Sequence, residues 1–205
     1  MTITRKSVAI LIALLVLITG AAAATTALAN QRDDVRADKG KHHSKAKTVK
    51  FDVAEDATRF VFDDEPVDED GLPEYGNSFV TQGYIYPEGT LDGSNGVKAN
   101  GEPEFPDKVI GGWTCRGWFI GDFATTSSGP LVSTTQLYDL GDKPGKVTLV
   151  SDGVELVDVD KEVKRAITGG TGPYKRAAGE ARQTLLGFNA TEGVNLRFDL
   201  KVQKR

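Results

Sequence analysis

The chain has 205 residues, a formal net charge of −4, one cysteine and two histidines. That length suits one domain with a real core, and the lone Cys115 excludes an intrachain disulfide. Both histidines, His42 and His43, fall in one short polar stretch, so none is left in the body for Ser-His-Asp or Cys-His catalysis.

At the N-terminus, Arg5 and Lys6 precede an apolar run from Val8 to Ile18, and small residues follow to Ala27-Leu28-Ala29. This is the basic, apolar and A-x-A order of a secretory signal, so residues 1–29 read as a signal peptide cut after Ala29. The expected location is outside the cell or in its envelope. Spanning a bilayer takes roughly 20 apolar residues, so no stable membrane span is expected once the segment is cut; left uncut, with its alanines, it would be an anchor. Loss of the two cations moves the net charge from −4 to −6. Residues 30–50 hold seven Lys or Arg against three Asp and almost no large apolar residue. They read as a disordered basic arm, which leaves an acidic body and argues against a nucleic-acid partner. A His pair without a third ligand points to solvation rather than metal binding, and neither a metal nor another cofactor is expected.

Residues 51–205 read as one all-β domain. The segments Thr48–Val53, Thr58–Phe62, Ser78–Tyr86, Trp113–Phe123, Leu131–Leu140, Lys146–Ser151, Glu162–Thr168, Glu180–Phe188 and Val194–Val202 are β-rich and separated by Gly, Pro, Asn and Asp clusters. In the last, Val194, Leu196, Phe198, Leu200 and Val202 face one way and Asn195, Arg197, Asp199 and Lys201 the other. Eight or nine short strands imply a sandwich or a closed barrel. Between the first segments, Glu55 to Glu74 holds nine acids and one Arg. Asp68-Glu69-Asp70-Gly71 has part of a calcium-loop pattern, but Leu72 and Pro73 break its register, so a solvated acidic loop is the main reading beside calcium. Asn189-Ala190-Thr191 is a glycosylation sequon.

The stretch Ala166–Arg182 reads AITGGTGPYKRAAGEAR. Gly169, Gly170, Thr171 and Gly172 form a structural turn between two strands; no GK[ST] and no amphipathic helix follow, so this is not a phosphate loop. The run resembles the signature of the allene oxide cyclase and dirigent superfamily. Leu137–Gly153, Val194–Val202 and, more weakly, Ser78–Tyr86 resemble neighbouring strands of that family. The resemblance implies a single antiparallel eight-stranded β-barrel that works on a small hydrophobic molecule, in trimers of barrels packed side by side.

Site residues follow from the resemblance and from strand parity. Allene oxide cyclases carry a Glu and an Asn two apart on the first strand. Aligning VKFDVAED puts Asp52 at the Glu and Ala54 at the Asn, which makes Asp52 the candidate catalytic carboxylate. Gly83 stands where the cyclases have a water-holding Asn, and both departures bear on the allene-oxide reaction itself. By parity with Gly83, Phe79, Thr81 and Ile85 face the interior; the opposite register turns Tyr84 and Tyr86 inward. On the next strand Trp113, Cys115 and Phe119 share one face; Cys115 reads as a small core residue, as a pocket-lining thiol of the kind the resemblance implies, or as the partner in an intermolecular disulfide. Trp118 and Ile120 then lie outside. The competing placement of the first strand sends Asp52 to solvent and fills the interior with Phe51 and Val53. Three function classes stay open: a cyclase, isomerase or dirigent-like stereocontrol protein, a non-catalytic barrel for a hydrophobic ligand, and a structural barrel with a filled interior.

Overall fold

The structure is a computed structural model and describes residues 46–204. The signal segment and most of the basic arm, His42 and His43 included, lie outside the described residues. Eight strands follow in chain order: β1 (Lys47–Phe62), β2 (Ser78–Pro87), β3 (Gly111–Phe119), β4 (Pro130–Leu140), β5 (Thr148–Leu156), β6 (Glu162–Gly170), β7 (Ala177–Phe188) and β8 (Val194–Lys204). Each pairs antiparallel with the next, and β8 returns to β1 to close the barrel. Closure leaves no strand without a partner on either side, although the β5–β6 ladder covers only part of the two strands. The helical turns among the described residues are two short 3-10 turns, Pro106–Lys108 and Gly172–Tyr174. No helix there is long and apolar enough to cross a membrane.

Several boundaries differ from the sequence expectation. β1 begins at Lys47, inside the stretch read as the basic arm, because Lys47 to Lys50 pair with Val202 to Asp199. The two expected segments Thr48–Val53 and Thr58–Phe62 are one strand, interrupted by a bulge between Asp56 and Val61. Its cause is local: the Asp56 carboxylate accepts from Thr58 N at 3.1 Å and Thr58 Oγ1 at 2.6 Å, folding the backbone back on itself. β5 runs past the Asp152-Gly153 pair to Leu156, where a turn signal ended the expected strand.

Period-2 alternation lines the interior. Phe51, Val53 and Glu55 of β1 point inward, as do Phe79, Thr81 and Ile85 of β2 and Trp113, Cys115 and Phe119 of β3. The lower half is packed with Phe51, Tyr138 and Phe198, whose ring centroids are 5.0 to 5.3 Å apart. The 3-10 turn after the GGTG stretch carries the buried Tyr174 against the same core, beside the barrel's lower strand ends. At the upper end Phe60, Phe79, Phe119 and Phe123 form a chain of rings 5.2 to 6.0 Å apart. Outside the wall, residues 88–110 form a strap over β1 and β2, with a second small core of Ala54, Tyr86, Leu91 and Val97 beneath it. That strap is why β1 is buried on both faces from Phe51 to Asp56.

Candidate functional site

Asp52 is not an interior group. Its neighbours in register are Tyr86 and Arg197 on the outer wall, and the strap covers it completely. One carboxylate oxygen accepts Arg197 Nε at 2.8 Å; the other accepts Arg197 Nη2 at 3.1 Å and Leu91 N at 3.0 Å. The alignment placed Asp52 inward, but the side-chain period of a strand leaves Phe51 and Val53, its apolar neighbours, to fill the interior. Phe79, Thr81, Ile85, Trp113, Cys115 and Phe119 are all buried in the interior. Phe79 and Phe119 touch at the upper end, Thr81 and Cys115 are register partners one layer below, and Ile85 lies at the far end of β2.

The layer around Thr81 and Cys115 is polar, built largely from residues the sequence reading did not single out. Glu55 accepts Thr81 Oγ1 at 2.6 Å and Val194 N at 2.8 Å. Across from it, Glu155 Oε1 accepts Thr134 Oγ1 at 2.6 Å, Gln136 Nε2 at 2.8 Å and Cys115 Sγ at 3.4 Å. Glu155 Oε2 accepts Gln183 Nε2 at 3.1 Å, and Arg165 Nη1 stands 3.8 Å from Oε1. The network continues downward: Trp113 Nε1 and Tyr138 OH both donate to Gln136 Oε1, at 3.2 and 2.7 Å. A phenol has one hydrogen, so at the 2.8 Å Tyr138–Ser151 contact Ser151 is the donor. Arg165 Nε closes the chain by donating to Ser151 Oγ at 3.0 Å.

Electrostatics separate the members of this layer. Burial pushes the Glu55 carboxyl up to about 7, against the pull of its bonds from Thr81 and Val194, and the charge of Glu155 adds to the rise. Burial also pushes the Cys115 thiol well up, and Glu155 beside it works in the same direction. A thiol held protonated this way is a weak nucleophile, so Cys115 packs and donates rather than attacks. Burial likewise raises the Tyr138 phenol, which keeps its proton for Gln136.

Glu55 had a readable signal: it shares the parity of Phe51 and Val53, yet it opens the acid-rich run read as a solvated loop. Gln183 similarly sits between the inward Ala181 and Leu185. Glu155 lies beyond the expected segment Lys146–Ser151 and Arg165 within Glu162–Thr168; neither was singled out, and barrel packing brings them together. In the acidic loop, the Asp68 carboxylate is taken up by Asp70 N and Leu72 N at 3.0 and 2.8 Å. Among the described residues no cluster of three metal-ligating side chains occurs. Two shallow depressions lie on the outer wall. One, of about 400 Å³, includes Gln82, Tyr84, Thr114 and Asp139; the other, of about 250 Å³, includes Thr114, Arg116 and Val150.

No family model matches the chain, and no curated protein does. Solved structures do. Two pterocarpan synthase dirigent proteins superpose with TM-scores of 0.55 and 0.56, each at 17% identity. The first match covers 88% of this chain and 99% of the other, the second 80% and 98%. A pyocyanin demethylase matches at a TM-score of 0.48 and 15% identity, over 76% of this chain and 99% of its own. The chain therefore has the dirigent-like barrel fold.

Proposed function

We propose that the barrel takes a small, largely apolar molecule into its interior and guides its cyclisation, isomerisation or stereoselective coupling. Glu55 is the group that gives or accepts the proton, in the role the alignment had assigned to Asp52, and Glu155 is the acceptor facing it. The observation that carries this reading is the polar layer itself. Two carboxyls and a guanidinium sit inside an otherwise apolar barrel, where unpaired charge costs several kcal/mol. A carboxyl near 7 exchanges a proton in either direction at neutral pH. Phe79, Ile85, Trp113 and Phe119 supply apolar contact, Thr81 and Cys115 line the layer, and restricting a reactive molecule there is an entropy trap. Barrels of this fold that are named pterocarpan synthase dirigent proteins point the same way. The reading includes export through the N-terminal segment and side-by-side association of barrels.

A second reading has one observation in its favour: the interior rings are tightly packed, while the two depressions lie on the outer wall. In that case the barrel binds through its outer face and its interior is structural. One experiment separates the two. Trp118→Phe leaves the buried Trp113 as the sole tryptophan. A panel of fused-ring aromatics and cyclic enones is titrated against this variant. Interior binding changes Trp113 emission saturably, and Glu55→Gln keeps that response while losing conversion of the bound molecule. Trp113 also borders the larger outer depression, so Thr114→Arg, which fills both depressions, is the control: a Trp113 response or a rise in melting temperature that it abolishes puts the site on the outer wall.

A further inference from the structure

The interior layer is closed off at both ends of the barrel but not along its whole side. Pairing of β5 with β6 stops at Asp152↔Ala166, although β5 continues to Leu156 and β6 begins at Glu162. The neighbouring ladders do not stop there. β4 pairs with β5 as far as Pro130↔Leu156, and β6 pairs with β7 from Glu162↔Thr184. A wedge is left between Val154–Leu156 on one side and Glu162–Lys164 on the other.

The Arg165 side chain fills the root of this wedge. It lies flat on Gly153, where an added Cβ would stand 3.0 Å from Arg165 Cγ and 3.1 Å from its Cβ. Its guanidinium then bonds carbonyls around Gly153: Nη1 donates to Val154 O at 3.3 Å, and Nη2 to Ser151 O at 3.4 Å on β5 and, across it, to Thr134 O at 2.9 Å on β4. Arg165 is fully buried, yet Glu155, 3.8 Å from it, keeps 12% of its side chain in solvent. An interior carboxylate thus keeps some solvent contact at a level of β5 where the β5–β6 ladder has ended.

We propose that small molecules reach the polar layer sideways, through the β5–β6 seam, with the Arg165 guanidinium as its latch and Glu155 as the first interior group they meet. Side-chain hydrogen bonds to carbonyls can be exchanged without breaking a strand ladder, so this seam opens at lower cost than either aromatic or apolar end. The proposal rests on the interior being the binding site, but its test needs no ligand.

Cys115, in contact with Glu155, is a built-in reporter. Native protein is treated with N-ethylmaleimide at mildly alkaline pH, and the mass gain is followed alongside the unfolding rate of each variant. Arg165→Lys keeps the charge but loses the planar fork, and is expected to raise the labelling rate about tenfold or more beyond any change in unfolding. Val163→Trp, on the inward face beside the seam, is expected to slow it. Phe62→Ala, at the upper aromatic end, leaves it within about twofold. The proposal is overturned if Val163→Trp leaves labelling unchanged, or if Phe62→Ala speeds it as much as Arg165→Lys does. Should Arg165→Lys fail to fold, Val163→Trp against Phe62→Ala still decides. Gated labelling with no binding partner sinks the interior function alone, and interior binding with ungated labelling sinks the seam alone.

Discussion

Asp52 and Arg197 form a two-point ion pair on the outer wall of the barrel, at 2.8 and 3.1 Å, directly across the β1–β8 ladder from one another. The pair also ties down the strap, because Asp52 accepts Leu91 N while Arg197 donates to Leu91 O at 3.2 Å. Removing the carboxylate leaves a guanidinium and an amide unpaired. Asp52→Ala is expected to cost about 2 kcal/mol, below the loss at a fully buried pair because Arg197 remains 36% exposed. Denaturant unfolding measures this, and the interior chemistry should survive. Loss of conversion with unchanged stability would return the catalytic role to Asp52.

Glu55 makes stability depend on pH with a definite sign. Below about 4.5 it is protonated in folded and unfolded chains alike, and it carries no penalty. Between about 4.5 and 7 the unfolded chain releases the proton while the folded chain keeps it, so stability falls as pH rises. Above about 7 the folded chain also carries the buried charge, and the loss is complete at about 3 kcal/mol. Glu55→Gln keeps the shape and a partner for Thr81. It should flatten this part of the pH–stability curve, and an unaltered slope in the variant would assign the dependence to another group.

The three glycines of the GGTG turn should separate. Gly172 has φ +57° and packs against Lys146 O, and a Cβ at Gly170 would meet Thr148 O at 2.4 Å. Gly169 has open space around it. Val at position 170 or 172 is therefore expected to cost about 1 kcal/mol or more, while Gly169→Val stays within about 0.5 kcal/mol. Equal melting temperatures for the three variants would contradict this account of the turn.

The sequon Asn189-Ala190-Thr191 is consumed by the fold. The buried Asn189 donates from Nδ2 to Glu55 O at 2.8 Å and Asn195 Oδ1 at 3.2 Å, and its Oδ1 accepts Thr191 Oγ1 at 2.7 Å. Asn189→Ala would leave the Glu55 carbonyl short of a donor, at about 1–2 kcal/mol. It should also shift the Glu55 titration midpoint, because β1 and the Val194 amide lose their common anchor. A midpoint unmoved in a destabilised variant would confine Asn189 to a packing role.

Trp118 and Ile120 stand on the outside, 58% and 37% exposed. In the proposed side-by-side association this surface would be covered by another barrel. Sedimentation at high concentration should show an assembly, with three copies the number implied by the sequence resemblance, and Trp118→Glu should shift it toward monomer. A wild-type chain that stays monomeric would remove association from the proposal.

Strand count, the closed all-β architecture and the inward parity of β2 and β3 were legible in the sequence, because alternation and turn residues act over a few positions. The clean alternation of Val194 to Val202 and the GGTG turn are of this local kind. The polar layer was legible only in part. The parity of Glu55 with Phe51 and Val53, and of Gln183 with Ala181 and Leu185, marks an inward face, but Glu55, Gln136, Glu155, Arg165 and Gln183 come from five strands, and that they form one layer is decided only by barrel closure. Asp52 shows the converse. Its burial comes from residues 88–110, which cross the outer wall over it, and its charge partner Arg197 faces it across the β1–β8 ladder, 145 positions along the chain. Period-2 patterning divides a strand into two faces, but which face is covered, and by what, is decided by non-local packing.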